Sequence, residues 1–168
     1  MKRYIISGKR CVIVKKHESN ISVTIQEDDC EFKVVIMPSK RWAHFVSIIN
    51  QVEESLGQLL IKQHVAYNEH IGGGWYVSVS TGFTCVDIRK FYFHPTFGLK
   101  PTKHGIALRI PEWYILKNIV TEVQKKYPTL ANETRCFLGA DHFNQQGFFA
   151  CTECNPFQFE ELCHTPDN

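Results

Sequence analysis

The sequence predicts an α+β fold of two tandem strand-strand-strand-helix repeats followed by a Cys/His-containing tail. Three observations carry that expectation. Short β-branched runs broken by polar turns fill residues 11–37 and again 75–109. In both stretches a proline follows and opens an amphipathic helix whose first apolar anchor is a tryptophan. Setting Trp42 on Trp113 also places Met37 on Leu108, Phe45 on Leu116, Ile48 on Ile119 and Val52 on Val123. That pattern is an internal repeat of about 60 residues, whose halves bury each other's apolar faces.

Each element follows from its residues. Strands are expected at 11–14, 21–25 and 32–37, separated by the polar turns His17 to Asn20 and Glu27 to Asp29. Pro38 opens a helix in which Trp42, Phe45, Ile49, Val52 and Leu56 form one apolar stripe. It ends at Gly57 or runs on through Ile61. Residues 63–71 read as a linker between a first unit at 1–62 and a second at 72–130. Strand patterns return at 75–79, 84–93 and 105–109. Pro111 then opens a helix carrying Trp113, Leu116, Val120 and Val123, which Pro128 stops. Residues 131–168 form the tail.

Composition narrows the class. Of 168 residues, 43% are hydrophobic and 12% aromatic, which excludes a disordered or fibrous chain. Charge and glycine interrupt the first ten residues too early for a secretory signal, and no apolar run approaches the roughly 18 residues of a membrane helix. The protein is expected to be intracellular. Its seven cysteines are then thiols or metal ligands rather than disulfides. All 19 Lys and Arg lie at or before Arg135, against 12 acidic residues there, whereas the remainder holds five acids and no Lys or Arg. A basic body with an acidic tail suits a polyanion-binding protein carrying its own anionic segment.

The segment 83–104 has the composition of a single-strand site. It holds Phe83, Phe91, Tyr92, Phe93 and Phe97 among Arg89, Lys90, Lys100, Lys103 and His104. Rings stack on exposed base faces and cations meet phosphates. Lys9, Arg10, Lys15, Lys16 and Lys33 of the first half would extend the electrostatic track, or are solvated surface. Trp42 and Trp113 are expected in the core.

Residues 72–126 also resemble a known family. Tyr76 to Val79, Asp87-Ile88-Arg89, Phe91 to Phe93 with Pro95, Lys100 to Leu108, Pro111-Glu112, Trp113 and Leu116-Lys117 stand in the order found in the DNA-binding domain of transcriptional positive cofactor 4. The first half is similar only in topology and helix pattern. The resemblance implies strongly curved four-stranded antiparallel sheets, each backed by one helix, and a pair of units that here would form an intramolecular pseudo-dimer, or else a homodimer. It further implies binding of single-stranded DNA with little sequence preference. Tyr92 falls where the family has a base-stacking tryptophan, Arg89 and Lys103 fall on cationic positions, and Phe83 falls near a hairpin-tip phenylalanine. His104 stands in place of a lysine.

The tail holds a Cys151-x2-Cys154 knuckle, with Cys136 and His142 upstream as the first choice to complete a structural zinc site. Cys163 with His164 is the alternative pair. Gly139 and Gly147 would let the chain fold a small hairpin around the ion. The aromatic, acidic segment 157–162 would compete with nucleic acid, recruit a partner protein or pack on the body. No enzyme is expected: Asp141 to Asn144 lacks a second acidic cluster and a nucleophile motif. The leading expectation is a single-stranded DNA-binding protein of replication, repair or transcription, taking DNA before RNA and acting in the nucleus. The alternative is a coactivator-like adaptor whose tail recruits a protein.

Overall fold

The computed structural model describes residues 1–158. Two antiparallel sheets form in simple meander order. The first contains β1 (Lys2–Ser7), β2 (Arg10–His17), β3 (Asn20–Glu27) and β4 (Val34–Pro38), followed by helices α1 (Ser39–Ser47) and α2 (Ile49–Leu60). The second contains β5 (Ala66–Gly72), β6 (Trp75–Ser80), β7 (Cys85–His94) and β8 (Gly98–Arg109), followed by α3 (Ile110–Lys126). The tail adds α4 (Pro128–Ala131), short helical turns at Cys136–Leu138 and Ala140–His142, and α5 (Gln145–Ala150). No helix among the described residues is long and apolar enough to cross a membrane.

Period-two alternation sends one set of side chains from each sheet into a shared core. In the first sheet Val12 pairs with Ile25 and Ile25 with Val35. In the second, Val77 pairs with Ile88 and Ile88 with Ile106. All six are buried with Trp42, Phe45, Trp113 and Leu116 in one cluster. The repeat is therefore real in register as well as in element order.

The two halves meet as partners of a two-fold would. Trp42 donates through Nε1 to Gln124 Oε1 at 3.1 Å, and Trp113 Nε1 approaches Glu53 Oε1 at 3.4 Å. Each acceptor lies eleven positions after the tryptophan of its own repeat. The contact is thus reciprocal, the signature of an isologous interface, here formed within one chain. Phe45 meets Trp113 edge to face at 6.1 Å between centroids. Arg10 joins the halves at one side, donating to Ala107 O and Glu112 Oε2, both at 2.7 Å, while also pairing with Glu27.

Three sequence expectations need correction. Each sheet has the fourth, edge strand that the resemblance implied but the residue pattern did not place: β1 arises from the charged N-terminal segment, and β5 (Ala66–Gly72) occupies most of residues 63–71, read as a linker. As edge strands they bury little, with Ile6 the one buried residue of β1, so neither shows a clear apolar alternation. The first helix is also broken at Ile48, whose N–H turns back to Phe45 O.

Candidate nucleic-acid interface and metal centre

The β7–β8 hairpin outruns the core. After the Ile88–Ile106 pair it continues through Phe91–Pro101, Tyr92–Lys100, Phe93–Leu99 and His94–Gly98, and none of residues 89–104 is buried. Gly105 permits the crossing: a Cβ there would strike the carbonyl of Ile88 and the backbone of Arg89. Its N–H donates to Phe32 O at 3.0 Å, which ties β8 to the first repeat.

Strand alternation divides the expected site residues between two sides of this hairpin. On the side facing away from the helices, Phe83, Arg89 and Phe91 line a groove of about 500 Å³ with Asp87, Ser78 and Pro101. On the other side Tyr92, 45% exposed, stands opposite Lys100 and edge to face with His94. Lys90, two positions before Tyr92, shares its side and is exposed. Lys103 sits 3.7 Å above the Phe32 ring, with His104 edge-on to the same ring. The seven residues therefore form neighbouring patches around one projecting hairpin rather than a single face.

Arg89 is occupied. Its Nε and Nη2 donate to the two carboxylate oxygens of Asp87, both at 2.9 Å, and its Nη1 donates to Thr102 O. The pair is locally neutral, so among the described residues the hairpin's cations without a carboxylate partner are Lys90, Lys100 and Lys103. Period two puts Asp87 and Arg89 on the same side, a relation legible in the sequence.

The structure also brings rings together that composition did not single out. Tyr76 on β6 lies 4.7 Å from Phe91 and 5.0 Å from His70. Burial lowers the His70 pKa to about 4, and its Nε2 accepts from Gly74 N–H at 3.0 Å, so the ring is neutral near pH 7. Tyr76 was findable, because it alternates with the core residues Trp75 and Val77.

In the tail, the donor atoms of Cys136, His142, Cys151 and Cys154 all lie within 4.8 Å of one another. Cys136 Sγ is 3.7 Å from Cys151 Sγ and 3.9 Å from His142 Nε2, and Cys154 Sγ is 3.4 Å from His142 Nε2. A tetrahedral zinc with bonds of about 2.3 Å to sulfur and about 2.0 Å to nitrogen has edges of roughly 3.5–3.8 Å. The four residues therefore form a cluster that fits a tetrahedral metal ion. Asp141 holds His142 Nδ1 at 2.9 Å and leaves Nε2 facing the sulfurs, the usual outer-shell arrangement. Burial opposes the Cys151 thiolate, yet the Cys154 backbone N–H, His142 and the Glu153 N–H bring its pKa down to about 7. The expected hairpin is absent here; short helical turns and α5 close the chain around the cluster instead. Cys163 and His164 lie outside the described residues.

The knuckle docks onto the body through Glu153. Its carboxylate accepts from Arg41 Nε and Nη2, both at 2.8 Å, and its carbonyl accepts from Gly73 N–H at 2.8 Å. Gly72, at φ +127, leaves no room for a Cβ beside that carboxylate. The Gly72-Gly73-Gly74 run is thus the turn that receives the tail.

The fold is a pair of sheet-and-helix repeats with a Cys/His cluster in the tail. Residues 76–119, from β6 into the middle of α3, match the family model of Transcriptional Coactivator p15 (PC4). No curated protein and no solved structure matches the chain.

Proposed function

We propose that this protein is a non-enzymatic single-stranded DNA-binding protein of replication, repair or transcription, acting in the nucleus and binding through the β7–β8 hairpin of its second repeat. One observation carries the reading: the segment matching the coactivator family is the one that projects from the core with Tyr92 paired across to Lys100. Bases stack on Tyr92 and Phe83, phosphates meet Lys90, Lys100, Lys103 and His104, and Arg89 joins them by exchanging Asp87 for a phosphate. Sequence preference is slight, because stacking and charge do not read base edges. Cys136, His142, Cys151 and Cys154 hold one structural zinc ion, with all four positions filled by protein.

The experiment is a titration of labelled single-stranded DNA, duplex DNA and single-stranded RNA of equal length at two salt concentrations. Single-stranded DNA is expected to bind most tightly, weakening as salt rises. Equal binding to duplex, or none, would overturn the reading. Metal analysis is expected to return one zinc per chain.

The family's description as a coactivator favours a second reading, an adaptor that recruits a protein through its acidic end. Residues 159–162 of that segment lie outside the described residues. Removing 159–168, which leaves Phe157 in place, separates the two, since only the adaptor loses its activity while oligonucleotide affinity persists.

A further inference from the structure

Between the second sheet and the tail lies a cavity of about 490 Å³. His70 and Tyr76 supply its sheet side, and Phe149, Asn155, Pro156 and Phe157 belong to the tail. Its volume falls within the roughly 300–1,000 Å³ of sites that enclose small organic groups. Cys154 and Gln158 complete the lining, and no Lys, Arg, Asp or Glu is among the described residues that form it. His70 is neutral for the reason given above, and Asn155 is held through Nδ2 by Phe148 O at 2.7 Å. Rings and two carboxamides, one of them pinned, with no cation among them, suit a flat neutral heterocycle and give no counter-charge to a phosphate.

The cavity also connects to the strand site. Arg89 and Phe91 line the outer groove, Phe91 touches Tyr76, and Tyr76 with His70 lines the cavity. Three aromatic groups in succession thus lead from the groove inward, at centroid spacings of 4.7 and 5.0 Å. The tail side is held in place by the Arg41–Glu153 pair and the Glu153 carbonyl on Gly73.

We propose that this cavity receives a single unpaired nucleobase from the strand lying on the adjacent hairpin. The inference rests on the single-strand reading and extends it: the tail becomes part of the binding surface. A free nucleoside offers the same base chemistry without the sugar-phosphate chain, and the test separates the two.

Anisotropy titrations use a labelled oligothymidylate and an abasic deoxyribose-phosphate strand of the same length. Phe157→Ala is expected to weaken oligothymidylate binding at least about fivefold, the lower end for one stacked base, and to leave the abasic strand within about twofold. Phe149→Ala, at a side chain 57% exposed whose loss spares the fold, is expected to act likewise. Equal losses on both strands, or no loss on either with either variant, overturn the proposal. So does a wild type that thymidine protects against thermal unfolding, with that protection lost in Phe157→Ala while oligothymidylate binding persists; the cavity would then serve a nucleoside. A wild type that binds neither strand sinks the single-strand reading itself.

Discussion

The outer faces of the two repeats can be compared pair by pair, because their strands share a register. Across the first sheet one row runs Arg3, Ile13, Thr24, Ile36, and the matching row of the second runs Asn68, Ser78, Asp87, Ala107. The next rows run Ile5, Cys11, Gln26, Val34 and His70, Tyr76, Arg89, Gly105. Where the second repeat has an aromatic and an arginine, the first has a cysteine and a glutamine. Its Cys11, Ile13 and Thr24 are buried even on this face, whereas the second repeat keeps an open groove. The inner faces stay alike because each must fill the space the other leaves, and dense packing tolerates little change. The second repeat's outer face is free of that constraint, and its divergence falls on the surface proposed to bind the strand.

The basic residues of the first repeat differ in the same direction. Arg10 and Lys33 pair with Glu27, Lys9 with Asp29, and Arg3 with Asp28. These cations are matched within their own repeat and add little net field for a polyanion. Of the first-half residues expected to extend the track, only Lys15 and Lys16 stand outside these pairs, on the exposed end of β2.

The comparison predicts its largest effect in nucleic-acid binding. Tyr92→Ala with Lys100→Ala is expected to reduce single-stranded DNA affinity about 10- to 100-fold, one lost stack plus one lost phosphate contact. Gln26→Ala with Lys15→Ala in the first repeat is expected to change it less than about threefold, since one exposed cation is all it removes. Comparable losses from both pairs, in parallel titrations, would break the assignment of function to one repeat.

The hairpin turns at the sheet edges differ next. Gly8 has φ +46 with nothing within 4 Å of a Cβ, so Gly8→Ala is expected to cost about 1 kcal/mol of backbone strain. Gly72→Ala is expected to cost about 2–3 kcal/mol, because strain is joined by eviction of the Glu153 carboxylate from Arg41. Urea unfolding of both variants measures the gap, and equal costs would mean that the tail does not clamp the second repeat.

A pH effect sharpens the picture of how the repeats are joined. Burial alone would raise the Glu112 pKa, but Arg10 and Arg109 hold it below the ordinary carboxylate range. A group depressed in the fold stabilises fully above its unfolded pKa, and that contribution is lost as pH falls through the folded value. Stability is therefore expected to drop on acidification below about pH 4.5, and Glu112→Gln to flatten that drop. Identical pH profiles for the two proteins would contradict the role given to this ion pair.

The smallest effect tests the two-fold itself. Gln124→Ala and Glu53→Ala each remove the acceptor of a tryptophan N–H, and each is expected to cost about 0.5–1.5 kcal/mol. A clear inequality would be traced to Lys117, which pairs with Glu53 at 2.7 Å and has no counterpart on Gln124 among the described residues.

Residues whose role depends on their own local pattern were legible before any fold was known. Trp42 and Trp113 announced themselves as helix anchors, and both are fully buried. The Cys-x2-Cys spacing named two of the four clustered donors, and composition named His142 and Cys136 beside them. The edge strands β1 and β5 were not legible, because a strand paired on one side buries too little to leave a periodic signal. Nor was the division of Arg89 from Tyr92, although period two implied it once the strand was placed.

The amino-acid order alone determined the duplicated α+β architecture, the aromatic and basic segment 83–104 and the candidate Cys/His donors of the tail. Each follows from spacing along the chain, where periodicity and turn chemistry act over a few residues. Only the tertiary structure decided that Arg10 bridges Glu27 and Glu112, that Glu153 seats the tail on the glycine turn, and that Phe149 and Phe157 come to line a cavity with Tyr76. Those relations join residues as much as 112 positions apart, and proximity across such distances is set by packing and closure rather than by any local preference.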